Sequence, residues 1–397
     1  MSSSNKSANQ ISRDRHSSIT AALPLLLALL IGIVAQPDQA QTNFKLLHGF
    51  TGPASDGALS YSNLTRDAAG NLFGTTYNGG KLNDGTIFRV DPQGRESIIH
   101  SFNGNPDGAY TYTNLLRADN FYGTTNAGGA YGFGTVFKLS FAGVETVLYN
   151  FAGGADGAYP YSGLIRDAAG NLYGTTEYGG SSNVGTVFKL ESTGKETVLY
   201  SFSGGSDGKY PAGALVRDAE GNLYGTTGNG GTNGNGIVFK VDPAGTETVL
   251  HRFTGPPDGQ YPFSTLVRDA NGYLYGTTTF GGASGQGAVF KVNPDGKEKV
   301  LYSFTGGADG RYPGTGALAY AGGTFYGVAN NGGAYGLGVV YKLDSTGKET
   351  VLYSFTGGTD GGQPASGVVR DSAGNLYGTT SNYEGTCMCG TVFELTQ

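Results

Sequence analysis

The sequence predicts an all-β protein, a seven-bladed β-propeller, from three observations. The chain repeats itself, since the phenylalanine that ends each "VLYSF"-like run recurs every 49 to 52 residues, at Phe50, Phe102, Phe151, Phe202, Phe253, Phe304 and Phe355. Each repeat contains four apolar runs of strand length separated by Gly-bearing turns. The composition, with 71 Gly, 26 Tyr and 38% hydrophobic residues, favours many strands and tight turns over disorder. Four strands in a unit of about fifty residues is typical of a propeller blade.

The N-terminal segment has the pattern of a secretory signal peptide. Lys6, Arg13 and Arg15 precede the apolar run "AALPLLLALLIGIVA", and "QPDQAQ" follows it. The run has 15 residues, fewer than the ~20 of a membrane span, and an uncleaved signal anchor is the alternative. We expect residues 1–41 to be the signal peptide and residues 42–397 to be the propeller. The protein is then secreted or periplasmic, with no membrane span after signal removal.

The four predicted strands of a repeat are named a to d in chain order. Typical segments are "GLIRD" for a, "NLYGTT" for b, "GTVFKL" for c and "ETVLYSF" for d. Short hairpins such as "DAAGN" and "DSTGKE" join a to b and c to d, and a longer Gly-rich loop joins b to c. The loop from d to the next a, as in "TGGADGRYP", has Pro where a strand begins and where its missing N–H does no harm.

The two ends of the propeller sequence predict how the ring closes. The first segment, "FKLLHGF" (residues 44–50), is a d strand with no c strand before it. The last, "GTVFELTQ" (residues 390–397), is a c strand with no d strand after it. We predict that these two strands pair and complete the seventh blade. An open solenoid is the alternative, although the terminal repeats lack the polar caps that solenoids need.

The repeat "GNLYGTT…GG…GTVFKL…ET.LYSF.GG.DG..P" resembles the GloVer tandem repeat over residues 44–397. The resemblance implies an exported bacterial protein of a family that often carries a C-terminal anchoring domain, and it implies no defined activity. The sixth repeat departs most, because "AYAGGTFYGVAN" lacks the Arg-Asp pair and the second Thr. The sequence ends at the repeat, so we expect a released or periplasmic protein.

Residues present in nearly every repeat are expected to be structural. Each loop from d to a carries one aspartate: Asp56, Asp107, Asp156, Asp207, Asp258, Asp309 and Asp360. A Ca²⁺ ion requires about six to eight oxygen ligands, and one carboxylate in each loop does not supply them. We therefore expect these side chains to bond local backbone N–H groups, and we expect no metal or cofactor. An arginine ending strand a is expected to pair with an Asp or carbonyl of a neighbouring blade; these are Arg66, Arg117, Arg166, Arg217, Arg268 and Arg370. Glutamates at the c–d hairpins are expected to be solvated turn residues; these are Glu96, Glu145, Glu196, Glu247, Glu298 and Glu349.

Aromatic residues that break the repeat in the b–c loops are the candidate binding residues. Exposed aromatic rings among Gly, Asn and Ser suit carbohydrate or peptide surfaces. The alternative is that the rings pack on neighbouring loops. The candidates are Tyr77, Tyr131, Phe133, Tyr178, Phe280, Tyr335 and Tyr383.

The histidines and cysteines are few. His48, His100 and His251 replace a tyrosine of other blades and have no carboxylate at a fixed spacing, so we expect them to pack in an outer strand. Cys387 and Cys389, in "CMC", are expected to form a disulfide in an exported protein. Free thiols, or metal or redox chemistry, are the alternatives.

The predicted function is a monomeric binding scaffold with a glycan or protein ligand, rather than an enzyme. The net charge of −6 provides no basic field for nucleic acid. The sequence contains no nucleophile elbow, zinc-type His motif or phosphate loop. Two alternatives stay open, since fold alone does not choose between functions. They are an enzyme acting on a carbohydrate or small metabolite in the central channel, and a passive structural envelope protein.

Overall fold

A computed structural model describes residues 43–52, 54–314, 316–382 and 389–397. Within these ranges the protein consists of β-strands and turns without a helix, and seven antiparallel sheets each contain strands a, b, c and d in that spatial order. The predicted seven-bladed β-propeller is confirmed. No helix in the described ranges is long and apolar enough to cross a membrane. Residues 1–41, Tyr383 and Cys387 lie outside the described residues, so the signal peptide and the disulfide stay predictions.

The strand bounds repeat closely from blade 1 to blade 7. Strand a spans Thr65–Arg66, Leu116–Arg117, Ile165–Arg166, Val216–Arg217, Val267–Arg268, Ala319–Ala321 and Val369–Arg370. Strand b spans Leu72–Thr76, Phe121–Thr125, Leu172–Thr176, Leu223–Asn229, Leu274–Thr278, Thr324–Asn331 and Leu376–Thr380. Strand c spans Thr86–Val90, Thr135–Leu139, Thr186–Leu190, Ile237–Val241, Ala288–Val292, Val339–Leu343 and Thr391–Thr396. Strand d spans Glu96–Ser101, Glu145–Asn150, Glu196–Ser201, Glu247–Arg252, Glu298–Ser303, Glu349–Ser354 and Asn43–Gly49.

Four loops from d to a add a short strand near strand b of the same blade. Lys209–Pro211 and Arg311–Pro313 pair directly with strand b of blades 4 and 6. Separate two-stranded pairs form between Gly57–Ala58 and Asn78–Gly79, and between Gly259–Gln260 and Phe280–Gly281. These pairs draw the d–a loop and the b–c loop of a blade together on one face of the propeller, which we call the loop face.

The ring closes as predicted, through the two ends of the propeller. Asn43–Gly49 pairs antiparallel with Thr391–Thr396, with Phe44 opposite Leu395 and Gly49 opposite Thr391. Just beyond the paired strands, the Phe50 N–H donates to the Gly390 carbonyl at 3.0 Å. Blade 7 therefore takes three strands from the C-terminal end and one from the N-terminal end.

Strand a is shorter than predicted, because a side chain takes over its ladder bonds. In blade 1 the Thr75 N–H donates to the Ser62 hydroxyl at 2.9 Å, and that hydroxyl donates to the Thr75 carbonyl at 3.3 Å. Ser264 and Thr277 repeat the arrangement in blade 5. A hydroxyl that satisfies both backbone groups of strand b leaves the innermost segment free to turn towards the propeller axis.

The phenylalanine that defines the repeat forms the core between blades. Phe50 is fully buried, and its ring lies edge-to-face at 5.1 Å from Phe88 of strand c in blade 1. Equivalent pairs occur at the other six junctions, with Tyr341 in place of the strand c phenylalanine in blade 6. The Gly in "GTT" makes room for these rings, since a Cβ on Gly74 would lie 2.5 Å from the Phe88 ring.

The repeated aspartates bond to local backbone N–H groups, as predicted. Each also bonds to the side chain of a tyrosine or histidine in strand d. Asp156 accepts bonds from the Ala152 N–H at 2.8 Å and from the Tyr149 hydroxyl at 3.0 Å. At three junctions a histidine replaces this tyrosine, and its Nε2 lies 3.1 to 3.3 Å from the aspartate, in the pairs His48–Asp56, His100–Asp107 and His251–Asp258. The expectation that these histidines lack a carboxylate at a fixed spacing is wrong, because the aspartate follows each by seven or eight residues.

The expectation that the repeated glutamates are solvated is also wrong. Each is half-buried at the first position of strand d. One carboxyl oxygen of each is buried with no hydrogen-bond partner among the described residues, in Glu96, Glu145, Glu196, Glu247, Glu298 and Glu349. Burial is the main reason that the pKa of each is raised to about 7. The charge of the aspartate at the same junction adds to this shift. Blade packing, and not the hairpin, therefore determines their environment.

The repeated arginines contact the neighbouring blade, mostly through a tyrosine ring. Arg217 lies 5.8 Å from the centroid of Tyr173, and equivalent contacts of 5.3 to 5.6 Å join Arg66 to Tyr377, Arg166 to Tyr122, Arg268 to Tyr224 and Arg370 to Tyr326. Arg166 also pairs with Asp119 at 2.7 Å, and Arg66 with Asp371 at 3.9 Å, which is the kind of partner that was predicted. Arg117 instead contacts Phe141 of its own blade.

Candidate functional site

The central channel narrows to a neck formed by the residue that lies two positions before strand a, or three positions before it in blade 6, where the chain has one extra residue. The seven neck residues are Asn63, Asn114, Gly163, Ala214, Thr265, Gly316 and Gly367. The Asn63 N–H donates to the Asn114 side-chain oxygen at 2.6 Å, and the Gly367 N–H donates to the Asn63 side-chain oxygen. A Cβ on Gly316 would overlap the Gly367 backbone. The cavity between these residues and the side chains just above them on the loop-face side is about 30 Å³, enough for one or two waters.

Two residues before each neck residue, on the loop-face side, a second ring of side chains surrounds the channel mouth. In blade order these mouth residues are Tyr61, Tyr112, Tyr161, Ala212, Phe263, Gly314 and Ala365. Four blades thus contribute an aromatic ring, and blades 4, 6 and 7 contribute a small residue. The mouth is therefore asymmetric, although the blades behind it are nearly identical.

Five tyrosines of blades 1 to 3 form a continuous aromatic wall on one side of the mouth. The wall consists of Tyr61, Tyr77, Tyr110, Tyr112 and Tyr161. Tyr112 is central, with ring centroids 4.5 Å from Tyr161, 4.7 Å from Tyr77 and 5.7 Å from Tyr61. Tyr110 stacks on Tyr77 at 4.9 Å. Because each ring supports the next, Tyr161 at the end of the wall is held in place.

Beyond Tyr161 the wall is interrupted, and a cavity of about 220 Å³ opens. We call this cavity the mouth pocket; its lining residues are Tyr161, Glu177, Tyr210, Ala212 and Phe263. The pocket lies where Ala212 of blade 4 replaces the aromatic residue of blades 3 and 5. Phe263 reaches over blade 4 because Gly228 has no side chain, and a Cβ there would lie 2.2 Å from the Phe263 ring.

Glu177 is the charged group of the mouth pocket. It follows the "GTT" of strand b, and the equivalent residues of the other blades are uncharged: Tyr77, Asn126, Gly228, Thr279, Asn330 and Ser381. Burial raises the pKa of Glu177. The pKa of Tyr161 is raised to about 12, mainly by burial and next by the Glu177 charge, and the same charge is the first cause of the raised pKa of Tyr178. Among the described residues, no Lys, Arg or His forms an ion pair with Glu177.

Two of the candidate aromatics named from the sequence lie at the mouth. Tyr77 belongs to the tyrosine wall. Tyr178 packs beside the mouth pocket, with its ring 5.1 Å from that of Tyr210. These two positions connect the b–c loops to the site, although neither residue lines the pocket itself.

The other candidates lie away from the mouth pocket. Phe133 packs against Tyr159 at 5.6 Å, and Phe280 packs against Tyr312 at 4.9 Å. Tyr131 and Tyr335 occupy equivalent positions in the b–c loops of blades 2 and 6. Both are largely exposed to solvent, with exposed fractions of 62% and 63%. Tyr383 lies outside the described residues. The six described candidates are thus spread over the b–c loops of five blades.

The residues that form the mouth pocket were not predicted from the sequence. The signal was present in the three residues ending at the neck, which read "YSN", "YTN", "YSG", "AGA", "FST", "GTG" and "ASG" in blades 1 to 7. The change from Tyr161 to Ala212 to Phe263 marks the gap, and Glu177 is the one acidic residue directly after "GTT". Only the arrangement of the blades in the folded propeller shows that these three positions meet around one cavity.

Among the residues that the structure describes, two side-chain groups have the composition of a metal site. His48, Asp56 and Glu96 have potential ligand atoms within 4.8 Å of one another, as do His251, Asp258 and Glu298. However, the aspartate is already saturated: Asp56 accepts bonds from Thr51 and Gly57 as well as from His48. At other junctions a tyrosine hydroxyl makes the same contact in place of histidine. These groups fit a structural role at blade junctions.

Comparison with known proteins identifies the repeat and the fold. The family model of the Gloeobacter/Verrucomicrobia repeat matches residues 31–227 and 214–397. Among solved structures, the chain is similar to the extracellular domain of BT4673 from B. thetaiotaomicron, described as a one component system, with a TM-score of 0.56 and 14% identity over 89% of this chain and 42% of that chain. A second structure of a BT4673 extracellular domain, described as a hybrid two component system, gives a TM-score of 0.53 and 14% identity over 87% of this chain and 42% of that chain. The chain therefore spans less than half the length of these relatives, and the likeness shows the fold alone. No curated protein sequence matches the chain.

Proposed function

The chain belongs to the Gloeobacter/Verrucomicrobia repeat family, and on that premise we propose that it is an exported β-propeller that acts as a binding scaffold. Its ligand, a glycan or a protein, is held on the loop face at the channel mouth. The N-terminal pattern of residues 1–41 supports export. The likeness in fold to the extracellular domains of BT4673 is consistent with it.

The observation that carries this proposal is the position of the mouth pocket. The pocket occurs where three neighbouring blades depart from their own repeat, with Glu177 in blade 3, Ala212 and Gly228 in blade 4, and Phe263 in blade 5. A role repeated in every blade does not account for Glu177, because the equivalent residues of the other blades are uncharged and burial penalises its charge. Aromatic side chains arranged around a single polar group are typical of pockets that bind small ligands.

Binding is favoured over catalysis by the side chains available. The described neck residues offer amides, one hydroxyl group and backbone, which are poor general acids and bases near neutral pH. The mouth pocket offers a single carboxyl group, Glu177, so the paired acid and base of most hydrolytic sites are lacking among the described residues that line it. A passive structural role leaves the asymmetry of the mouth unexplained.

The proposal is tested by screening the secreted protein on glycan and peptide arrays. The test variant is Ala212→Tyr, which restores the aromatic residue of blades 1 to 3 and fills the pocket. The matched control is Ala169→Tyr, at an exposed position of the a–b hairpin on the opposite face. We expect a ligand that binds the parent and Ala169→Tyr but not Ala212→Tyr. Binding that Ala212→Tyr retains, or no binding on either array, contradicts the proposal.

A further inference from the structure

We propose that the mouth pocket binds a small organic cation, with an alkylammonium group held between the aromatic rings and the Glu177 carboxylate. This inference rests on the proposed function, because it assigns a ligand chemistry to the same pocket. It goes beyond that function in naming the group that the pocket recognises.

The walls of the pocket suit a cation. Tyr161, Tyr210 and Phe263 surround it, and Ala212 supplies a small apolar side between them. The faces of aromatic rings carry partial negative charge and attract ammonium groups within about 6 Å of the ring centroid. Tyr210 already makes such a contact on this protein, since the Lys209 ammonium lies 5.2 Å from its centroid.

Glu177 supplies the negative charge for the ligand. Its carboxyl group is half-buried among rings and has no cationic partner in the described part of the chain. Burial of an ionised carboxylate without a partner is unfavourable. A bound cation offsets this penalty, which is the same burial that raises the pKa of Glu177.

The same features disfavour a neutral sugar as the group inside the pocket. A sugar ring has several hydroxyl groups, and each one that is buried without a partner weakens binding. The pocket offers the Glu177 carboxyl group and the hydroxyl groups of Tyr161 and Tyr210, while Ala212 and Phe263 are apolar. An alkylammonium group with methyl substituents needs ring faces and one opposite charge. A cavity of about 220 Å³ accommodates a group of side-chain size.

The experiment compares choline with 3,3-dimethylbutan-1-ol, which has the same shape but a neutral carbon in place of the charged nitrogen. Isothermal titration of the secreted protein measures both affinities for the parent, Glu177→Gln and Ala212→Tyr. The control for charge is Glu220→Gln, at an exposed hairpin position of blade 4. We expect the parent and Glu220→Gln to bind choline at least about tenfold more tightly than the neutral alcohol. Glu177→Gln is expected to lose most of that preference, and Ala212→Tyr is expected to lose both ligands.

Equal affinities for the two probes, or an unchanged preference in Glu177→Gln, overturn the inference. If circular dichroism shows that Ala212→Tyr is unfolded, Phe263→Ala replaces it and is expected to weaken choline binding at least about tenfold. If neither probe binds while an array ligand is lost in Ala212→Tyr, the inference is wrong and the proposed function stands. If choline binds with the expected preference and no array ligand is found, the cation site stands and the proposed glycan or protein ligand is wrong.

Discussion

Replacing the half-buried glutamate of one blade junction with glutamine should stabilise the protein above about pH 7. We choose Glu196, which lies between blades 2 and 3 near Asp156. In the described part of the chain its Oε1 is buried without a hydrogen-bond partner. Burial, followed by the Asp156 charge, raises its pKa from 4.5 to about 7. Between these two values the folded protein holds a proton that the unfolded chain has released. The stability that this group contributes is therefore complete below about pH 4.5 and is lost as the pH rises through about 7.

The magnitude follows from the pKa shift and from the exposure of the side chain. Without screening, a rise in the pKa of Glu196 from 4.5 to about 7 corresponds to about 3 kcal/mol. The free energy of unfolding falls by this amount when the carboxyl group ionises. Because Glu196 is only half-buried, solvent screens much of this penalty, and we expect on the order of 1 kcal/mol. Glu196→Gln keeps the size of the side chain and removes the charge, so it should recover that amount above about pH 7.

Urea unfolding followed by circular dichroism at about pH 5 and about pH 8 measures this effect. We expect Glu196→Gln to match the parent at the lower pH and to exceed it by about 1 kcal/mol at the higher pH. Glu220→Gln, at an exposed position, is the control and should match the parent at both. The reasoning is refuted if Glu196→Gln changes stability equally at the two pH values, or if it behaves like the control.

Two further predictions concern the ring. Deletion of residues 44–50 removes the strand that pairs with Thr391–Thr396 and the buried Phe50, so the thermal midpoint of the whole propeller should fall by many degrees. An unchanged midpoint would rule out ring closure as a source of stability. In blade 6, Tyr320 replaces the usual arginine and stacks on Tyr275 at 6.4 Å. Tyr320→Ala should therefore cost about 1 kcal/mol in urea unfolding, and Tyr320→Arg should cost less, because it restores the contact of other blades; equal losses would contradict this account.

The sequence predicts the ring well because the relevant contacts repeat with the sequence period. Phe50 and its equivalents recur at a nearly constant spacing, and length changes fall in turns, so both blade number and strand pairing can be counted. The environment of Glu196 could not be predicted in this way. Its position in a hairpin indicates exposure, whereas the neighbouring blade covers it. A contact between blades depends on their packing, and a motif within one blade does not contain that information.

The mouth pocket is the clearest case, and it shows where function can vary on a closed ring. At the d-strand phenylalanine all seven blades are alike, because each ring packs into the next blade and a gap at one junction would weaken the whole circle. The mouth residues are not part of these packed pairs, and they range from Gly314 to Tyr161 while strands c and d keep the same lengths in blades 1 to 6. A substitution there changes the shape of the mouth at little cost to closure. Ala212 opens a gap, Gly228 lets Phe263 enclose it, and Glu177 places a charge inside it. Three such departures in neighbouring blades act on one cavity, which is why we assign recognition to this part of the ring.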